Sequence, residues 1–219
     1  LAYSIVRNAI RIQISPKDPV SKNVTHSVMF VSMDDKRFFL ERIVNENPES
    51  RILVFVRTKV RAERVYEAMN RVGIKSQTMH GGKDQENRLE VMNGFKNGDF
   101  KLLIATDISA RGVDIANVDY VVNYDLPDVA EIYVHRVGRT GRGNNKGVAV
   151  SFCSPEEKPV LDEIESFMDK KVTVLSVDKA DYSETLALTE DVNDNWKKLI
   201  ADAEKEDNAY KGKKKKNKK

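Results

Sequence analysis

Tyr133-Val-His-Arg-Val-Gly-Arg-Thr-Gly-Arg-Gly143 is the stretch on which the reading of this chain turns. Four of its eleven side chains can carry positive charge: His135, Arg136, Arg139 and Arg142. The three arginines recur at i, i+3 and i+6, a spacing that on one or two helical turns directs successive guanidiniums to one side. Gly138, Gly141 and Gly143 thin the backbone and let it leave helix geometry. The expected product is a comb of permanently charged, forked donors beside exposed backbone. Such a comb suits the oxygens of a triphosphate better than a single carboxylate. A solvated basic turn is the plainer reading, but such a turn does not need glycines in register with its charges.

Outward from this stretch, compact apolar runs alternate with amphipathic segments. Residues 28–31, 51–56, 74–79, 102–105, 120–122 and 147–152 read as strands, with 172–174 a short seventh. The run over 52–55 is apolar on both faces, as a central parallel strand covered on both sides should be. Helices are expected over 34–45, capped by Asp34; over 58–72, capped by Thr58 and ended by Gly73; and over 84–97, ended by Gly98. Ser154-Pro155-Glu156-Glu157 reads as a capping box with proline at the first helical position, opening a helix to about Met168. Repeated strand–helix units with short connections imply right-handed crossovers and a mostly parallel sheet between two helical layers. Ligands of such sheets sit outside the carboxyl ends of the strands. Arg57-Thr58, His80-Gly81-Gly82 and Thr106-Asp107 fall at those ends.

Composition narrows the class. Hydrophobic residues make up 40% and charged residues 32% of 219, ordinary for a globular domain. No apolar run approaches the roughly 20 residues a bilayer span needs, and no secretory leader is visible. The chain opens on Leu1 rather than Met and is expected to be a piece of a longer one. Cys153 is the single cysteine, so an intrachain disulfide is excluded. A reducing, cytoplasmic setting and a buried, inert thiol are expected. The net charge of +3 is segregated. Residues 1–177 carry 26 Lys/Arg against 24 Asp/Glu, residues 178–210 carry 4 against 10, and residues 211–219 carry seven lysines and no acid. The last block reads as a polyanion-binding arm or a solubilising tail. Val192, Trp196, Leu199, Ile200 and Ala203 fit one face of a short helix.

His135-Arg-Val-Gly-Arg-Thr-Gly-Arg142 resembles the last signature motif of the DEAD-box RNA helicases, and three further motifs follow the same family in the right order. They are Val54-Phe-Val-Arg-Thr58, the run from His80 through Gln85 to Arg88, and Ala105-Thr-Asp-Ile-Ser-Ala-Arg-Gly-Val-Asp-Ile115. The resemblance implies the C-terminal RecA-like domain, a three-layer α/β/α sandwich, over residues 21–177. Residues 1–20 would be the end of a preceding domain and a linker, and 178–219 an acidic spacer with the lysine tail. It implies RNA-backbone contacts from Arg57, Thr58, Gly81, Gly82, Gln85, Arg88, Thr106, Asp107 and Gly112. Asp114 would face the nucleotide ribose. Arg139 and Arg142 would act as arginine fingers on ATP. Arg111, His135 and Arg136 would couple the two domains, His135 and Arg136 by contacting acidic residues of the other domain. No phosphate loop and no Asp-Glu-Ala-Asp occur in these 219 residues. ATP and its Mg²⁺ would therefore be held by an N-terminal RecA-like partner domain. No metal ligands and no membrane contact are expected of this half, which alone should be catalytically inactive. Two rival readings remain at this point: a non-enzymatic RNA-binding module, and a DNA helicase or remodeller of the same superfamily.

Overall fold

The computed structural model describes residues 19–107, 115, 118–143, 145–178 and 180–187. Arg111, Gly112, Asp114, the expected helix over 190–207 and the lysine tail lie outside the described residues.

Seven described strands form one sheet: β1 (Val24–Phe30), β2 (Ile52–Phe55), β3 (Ser76–Met79), β4 (Leu102–Ala105), β5 (Tyr120–Asn123), β6 (Gly147–Cys153) and β7 (Thr173–Val174). Their order is β3-β4-β2-β5-β6-β1-β7, and every registered pair is parallel. The helices are α1 (Lys36–Glu46), α2 (Lys59–Arg71), α3 (Gln85–Asn97), α4 (Ala130–Val137) and α5 (Lys158–Met168).

Strand alternation divides the core into two. Leu53 and Phe55 of β2 pack with Leu103, Ala105 and Val121 against Met92 and Phe95 of α3, Tyr133 and Val137 of α4, and Leu161 and Ile164 of α5. Ile52 and Val54 point the other way, with Leu102, Ile104 and Val122, against Phe39 and Leu40 of α1 and Ala62, Val65 and Met69 of α2. The three-layer α/β/α sandwich expected from the sequence is the fold observed. Cys153 is buried, and burial pushes its thiol up to about 11, so it stays neutral.

Most local signals operate as expected. Thr58 Oγ1 accepts from the Arg61 N–H at 3.2 Å, Asp84 Oδ1 accepts from the Asn87 N–H at 2.8 Å, and Gly98 ends α3 at φ 83°. The Ser154 N–H donates to Glu157 Oε2 at 3.0 Å, over a 3₁₀ turn (Pro155–Glu157) that leads into α5. Two local expectations are corrected. Asp34 does not cap α1; Asp35 stands at the N-cap, and its carboxylate is taken by Tyr182 Oη at 2.6 Å and Ser32 Oγ at 2.5 Å. The arginine comb does not form either. The α4 helix stops at Val137 with Gly138 as its C-cap, so Arg136 is the last helical arginine and turns inward.

Residues 180–187, past the expected domain end at 177, are helical and lie on α1. The Tyr182 and Phe39 rings sit 4.9 Å apart, and Arg42 donates to Thr185 Oγ1 at 2.8 Å.

The loop after α4 is seated by two glycines. A Cβ on Gly147 would collide with Thr140 Oγ1 and the Gly141 nitrogen, and one on Gly141, at φ 64°, would collide with Val24 Cγ2. A Cβ on Gly81 would meet nothing within 4 Å. Gly147→Ala should therefore cost about 3 kcal/mol through overpacking, while Gly81→Ala should stay within about 0.5 kcal/mol of wild type. Urea unfolding of the two variants measures the contrast.

Candidate functional site

The carboxyl ends of β2, β3, β4 and β5 emerge on one edge of the sheet. Arg57 and Thr58 follow β2, His80 to Gly82 follow β3, Thr106 and Asp107 follow β4, and residues 124–129 lead from β5 into α4. They surround a groove of about 520 Å³ lined by Arg57, Thr58, Gly81, Gly82, Thr106, Asp107 and Arg136. Lys59, Pro127, Asp128, Val129 and Ile132 complete the lining, and sequence reasoning missed all five.

Arg136 organises the edge. It is 2% exposed. Its Nε and Nη2 donate in parallel to the two Asp107 oxygens, both at 2.7 Å, and Nη1 donates to the Asp125 carbonyl at 2.7 Å and Asn123 Oδ1 at 3.3 Å. The guanidinium also lies 5.0 Å from the centre of the Phe55 ring. Bidentate, charge-assisted pairs of this kind are the strong ones. Acidic residues of another domain are the partners that the resemblance implies for Arg136. Its forked donors are committed within the chain, because Asp107 and the end of β5 stand within its reach. Asp107, expected along the RNA backbone, lines the groove. A bare carboxylate would repel a phosphate chain, but this one is neutralised by Arg136 and helps fix the groove wall. His135, one position earlier on α4, is exposed.

Arg57 faces the groove with its side chain 43% exposed. Its Nη2 donates to the Leu126 carbonyl at 3.2 Å, and its Nε lies 3.3 Å from Asp128. Beneath it sits a buried cluster the sequence did not reveal. Lys36 Nζ donates to the Tyr124 carbonyl at 2.7 Å and to Glu157 Oε2 at 2.5 Å, and it lies 3.8 Å from Asp125. Lys36 precedes Phe39 and Leu40 by three and four residues, and that spacing alone places it on the inward face of α1.

The Gly81–Gly82 turn is held by His80. The Gly82 N–H donates to His80 Nδ1 at 3.1 Å, so Nε2 carries the hydrogen and donates to Glu63 Oε1 at 2.6 Å. Thr78 Oγ1 donates to the same oxygen at 2.8 Å. Gln85 and Arg88 sit at the start of α3, where Arg88 Nη1 donates to Gln85 Oε1 at 3.3 Å; neither lines the groove.

Arg139 and Arg142 lie at the opposite edge. Thr140 bridges to Val118, just before β5, and its Oγ1 donates to the Val118 carbonyl at 2.5 Å. Asn23 Nδ2 donates to the Gly143 carbonyl at 2.7 Å, at the start of β1. The loop therefore rests on the amino ends of β1, β5 and β6. Arg142 is exposed, its Nε donating to the Gly138 carbonyl at 3.0 Å, and Arg139 is half-buried. Among the described residues no three His, Cys, Asp or Glu side chains gather to hold a metal, and no helix is long and apolar enough to cross a membrane.

This sheet order, its two helical layers and its phosphate-suited turns define a RecA-like α/β/α domain. The helicase conserved C-terminal domain family matches residues 35–144. The ATP-dependent RNA helicase DbpA of Bacillus subtilis is 40% identical over 77% of this chain and 35% of its own length. Saccharomyces cerevisiae Dbp5 bound to RNA and ADP BeF3 superposes with a TM-score of 0.73 at 30% identity, covering 87% of this chain and 51% of that one. Escherichia coli SrmB, a DEAD-box protein bound to the regulator RraA, gives 0.67 at 27% identity over 73% of this chain and 94% of that one. The chain spans about a third of the length of its Bacillus relative. It belongs to the helicase conserved C-terminal domain family, as the C-terminal RecA-like domain of a DEAD-box RNA helicase.

The His80–Glu63 pair makes a stability prediction. Burial pushes the Glu63 carboxyl up, but hydrogen bonds from His80 and Thr78, with the nearby charge of Lys83, outweigh it and hold the group below its ordinary 4.5. A carboxylate depressed in the folded state contributes stability that is complete above the ordinary value and is lost as pH falls through the lower, folded one. On acidification below about pH 5, the urea midpoint of the wild type should fall more steeply than that of Glu63→Gln.

Proposed function

We propose that this chain is one half of an ATP-driven RNA clamp, with the two ligands on opposite edges of its sheet. The groove at the carboxyl edge takes the sugar-phosphate backbone of single-stranded or locally unpaired RNA. Arg57, Thr58, Thr106 and the open Gly81–Gly82 turn supply its contacts, with Gln85 and Arg88 extending the track along α3. Backbone-directed contacts of this sort carry little sequence preference. Gly112, outside the described residues, joins this set by resemblance.

The loop at the amino edge serves the nucleotide. Arg139 and Arg142 are donors only, and they fit as partners for a γ-phosphate held by a preceding RecA-like domain. The chain itself has no phosphate loop to cradle a triphosphate. ATP, bound with Mg²⁺ on that other domain, supplies the anhydride whose cleavage reopens the clamp. The two arginines meet the charge that gathers on the transferred group, an effect worth roughly 10³–10⁵ in rate in other nucleotide hydrolases. By resemblance, Asp114 and Arg111, both outside the described residues, are assigned to the ribose and to the coupling between domains, the latter shared with His135. His135 suits this because its side chain is exposed on α4.

The observation that carries this reading is the separation of the two surfaces. Groove and arginine loop lie at opposite sheet edges, and α4 touches both, through Arg136 at one and Gly138 at the other. The relatives' names, ATP-dependent RNA helicases, and the RNA and ADP BeF3 on Dbp5 support the choice of ligands.

In the protein that carries both halves, Arg139→Ala with Arg142→Ala should lower RNA-stimulated ATP turnover by roughly 10³-fold and leave RNA affinity nearly unchanged. Equal loss of both would favour a plain RNA-binding module. The 219-residue chain alone should show no RNA-stimulated turnover in a phosphate-release assay. Competition between RNA and DNA oligomers of one sequence checks the substrate, since only RNA offers the 2′-hydroxyl.

A further inference from the structure

Lys36 is the first residue of α1 and is not part of the groove lining, yet it is 0% exposed and makes two hydrogen bonds. Its neighbours explain what it does. Glu157, 4% exposed, takes Lys36 and the Ser154 N–H on Oε2, and the Leu126 N–H on Oε1. The same Oε1 lies 3.7 Å from Arg57 Nη2. Asp125, 3% exposed, accepts the Arg57 N–H on Oδ2, and its Oδ1 lies 3.4 Å from Arg61 and 3.8 Å from Lys36.

The buried part of this cluster is two carboxylates against one ammonium. Arg57 and Arg61, both partly exposed, are the cations that could answer the remaining negative charge. Arg57 is also the one that faces the groove. Its guanidinium stands beyond hydrogen-bonding distance of Glu157 because Lys36 already satisfies that carboxylate, and because the Leu126 carbonyl and Asp128 hold it outward. An uncompensated buried charge is costly, and the nearest mobile cation would move to relieve it.

We infer that Lys36 is a positioning residue for the RNA groove: by neutralising Glu157 from beneath, it keeps the Arg57 guanidinium at the surface, available to a backbone phosphate. The inference rests on the reading of the groove as an RNA site and adds to it the device that sets how much of Arg57 the RNA receives. Lys36 contacts no ligand, so its effect reaches the RNA only through Glu157 and Arg57.

The test uses the 219-residue chain and a fluorescein-labelled oligouridylate of ~12 nucleotides, with affinity followed by anisotropy between roughly 50 and 200 mM salt. Each phosphate contact to a single strand contributes about −0.7 to the slope of log affinity against log salt. Arg57→Ala should make the slope shallower by about 0.7. Lys36→Met should do the same, because Glu157 then draws Arg57 inward. Lys36→Met with Glu157→Gln removes both charges and should return the slope to its wild-type value, which a merely structural defect at Lys36 would not allow. Glu157→Gln alone should raise affinity at an unchanged slope, and it carries the test should Lys36→Met fail to fold. A wild-type slope in Lys36→Met, or affinity at or below wild type in Glu157→Gln, overturns the inference while leaving the groove as an RNA site. No change of slope in Arg57→Ala removes Arg57 from the RNA contact and takes both readings down together.

Discussion

The fork from Arg136 to Asp107 is the contact on which the rest of the molecule depends. A guanidinium and a carboxylate taken out of water each carry a desolvation penalty of several kcal/mol, offset only when geometry is good and the remaining donors are satisfied. Here two arms meet Asp107, and the third meets the Asp125 carbonyl and Asn123. Asn123 is itself fixed, donating to Ser151 Oγ at 3.0 Å. One side chain thus ties α4 to the tips of β4 and β5 and, through Asn123, to β6. The groove wall and the helix that leads to the arginine loop are referenced to the same point. A cation placed there by hydrophobic packing alone would be free to slide along the sheet.

The same logic explains why a site suited to phosphate is built over carboxylates. Asp107, Asp125 and Glu157 all lie under or beside the groove, where an unpaired anion would repel its ligand. Each is matched. Asp107 has Arg136, Glu157 has Lys36, and Asp125 has the Arg57 N–H with Arg61 near it. Long cationic side chains lose much rotamer freedom when they are held. Carboxylates that hold them beforehand reduce what a ligand must still order. The acids are therefore answered from within the chain by Arg136 and Lys36, and by the Arg57 N–H.

Much of this was legible in the sequence, for identifiable reasons. Strands β2 and β4 are apolar on both faces, so a parallel sheet covered on both sides followed from four residues each. Thr58 and Gly98 are local signals whose partners lie within one turn, and they operate as read. The groove residues at the strand ends came from the topology rule and from the motifs independently. What escaped were the long-range pairings. The comb of three arginines assumed a helix running through Gly138, and Arg136 turns inward toward a partner 29 residues away. Lys36 meets a carboxylate 121 residues on, and Asp35 is diverted from capping by Tyr182, 147 residues on. Spacing arguments see neighbours on one element and cannot rank them against a charge brought in by the fold.

Glycine shows the limit most clearly, because one residue type answers two different demands. Gly141 and Gly147 are required by the protein's own packing: the loop bearing Arg139 and Arg142 lies so close to Thr140, Asn23 and Val24 that no Cβ fits. That crowding makes the loop a fixed platform, clamped by the Thr140 bonds to the Val118 and Asp119 carbonyls. Gly81 meets no such demand; the space beside it is open and its backbone is unstrained. Packing inside the chain would accept a side chain at Gly81, which lines the groove at the carboxyl edge. The arginine loop is thus placed by the fold itself, whereas the groove edge keeps open room beside Gly81.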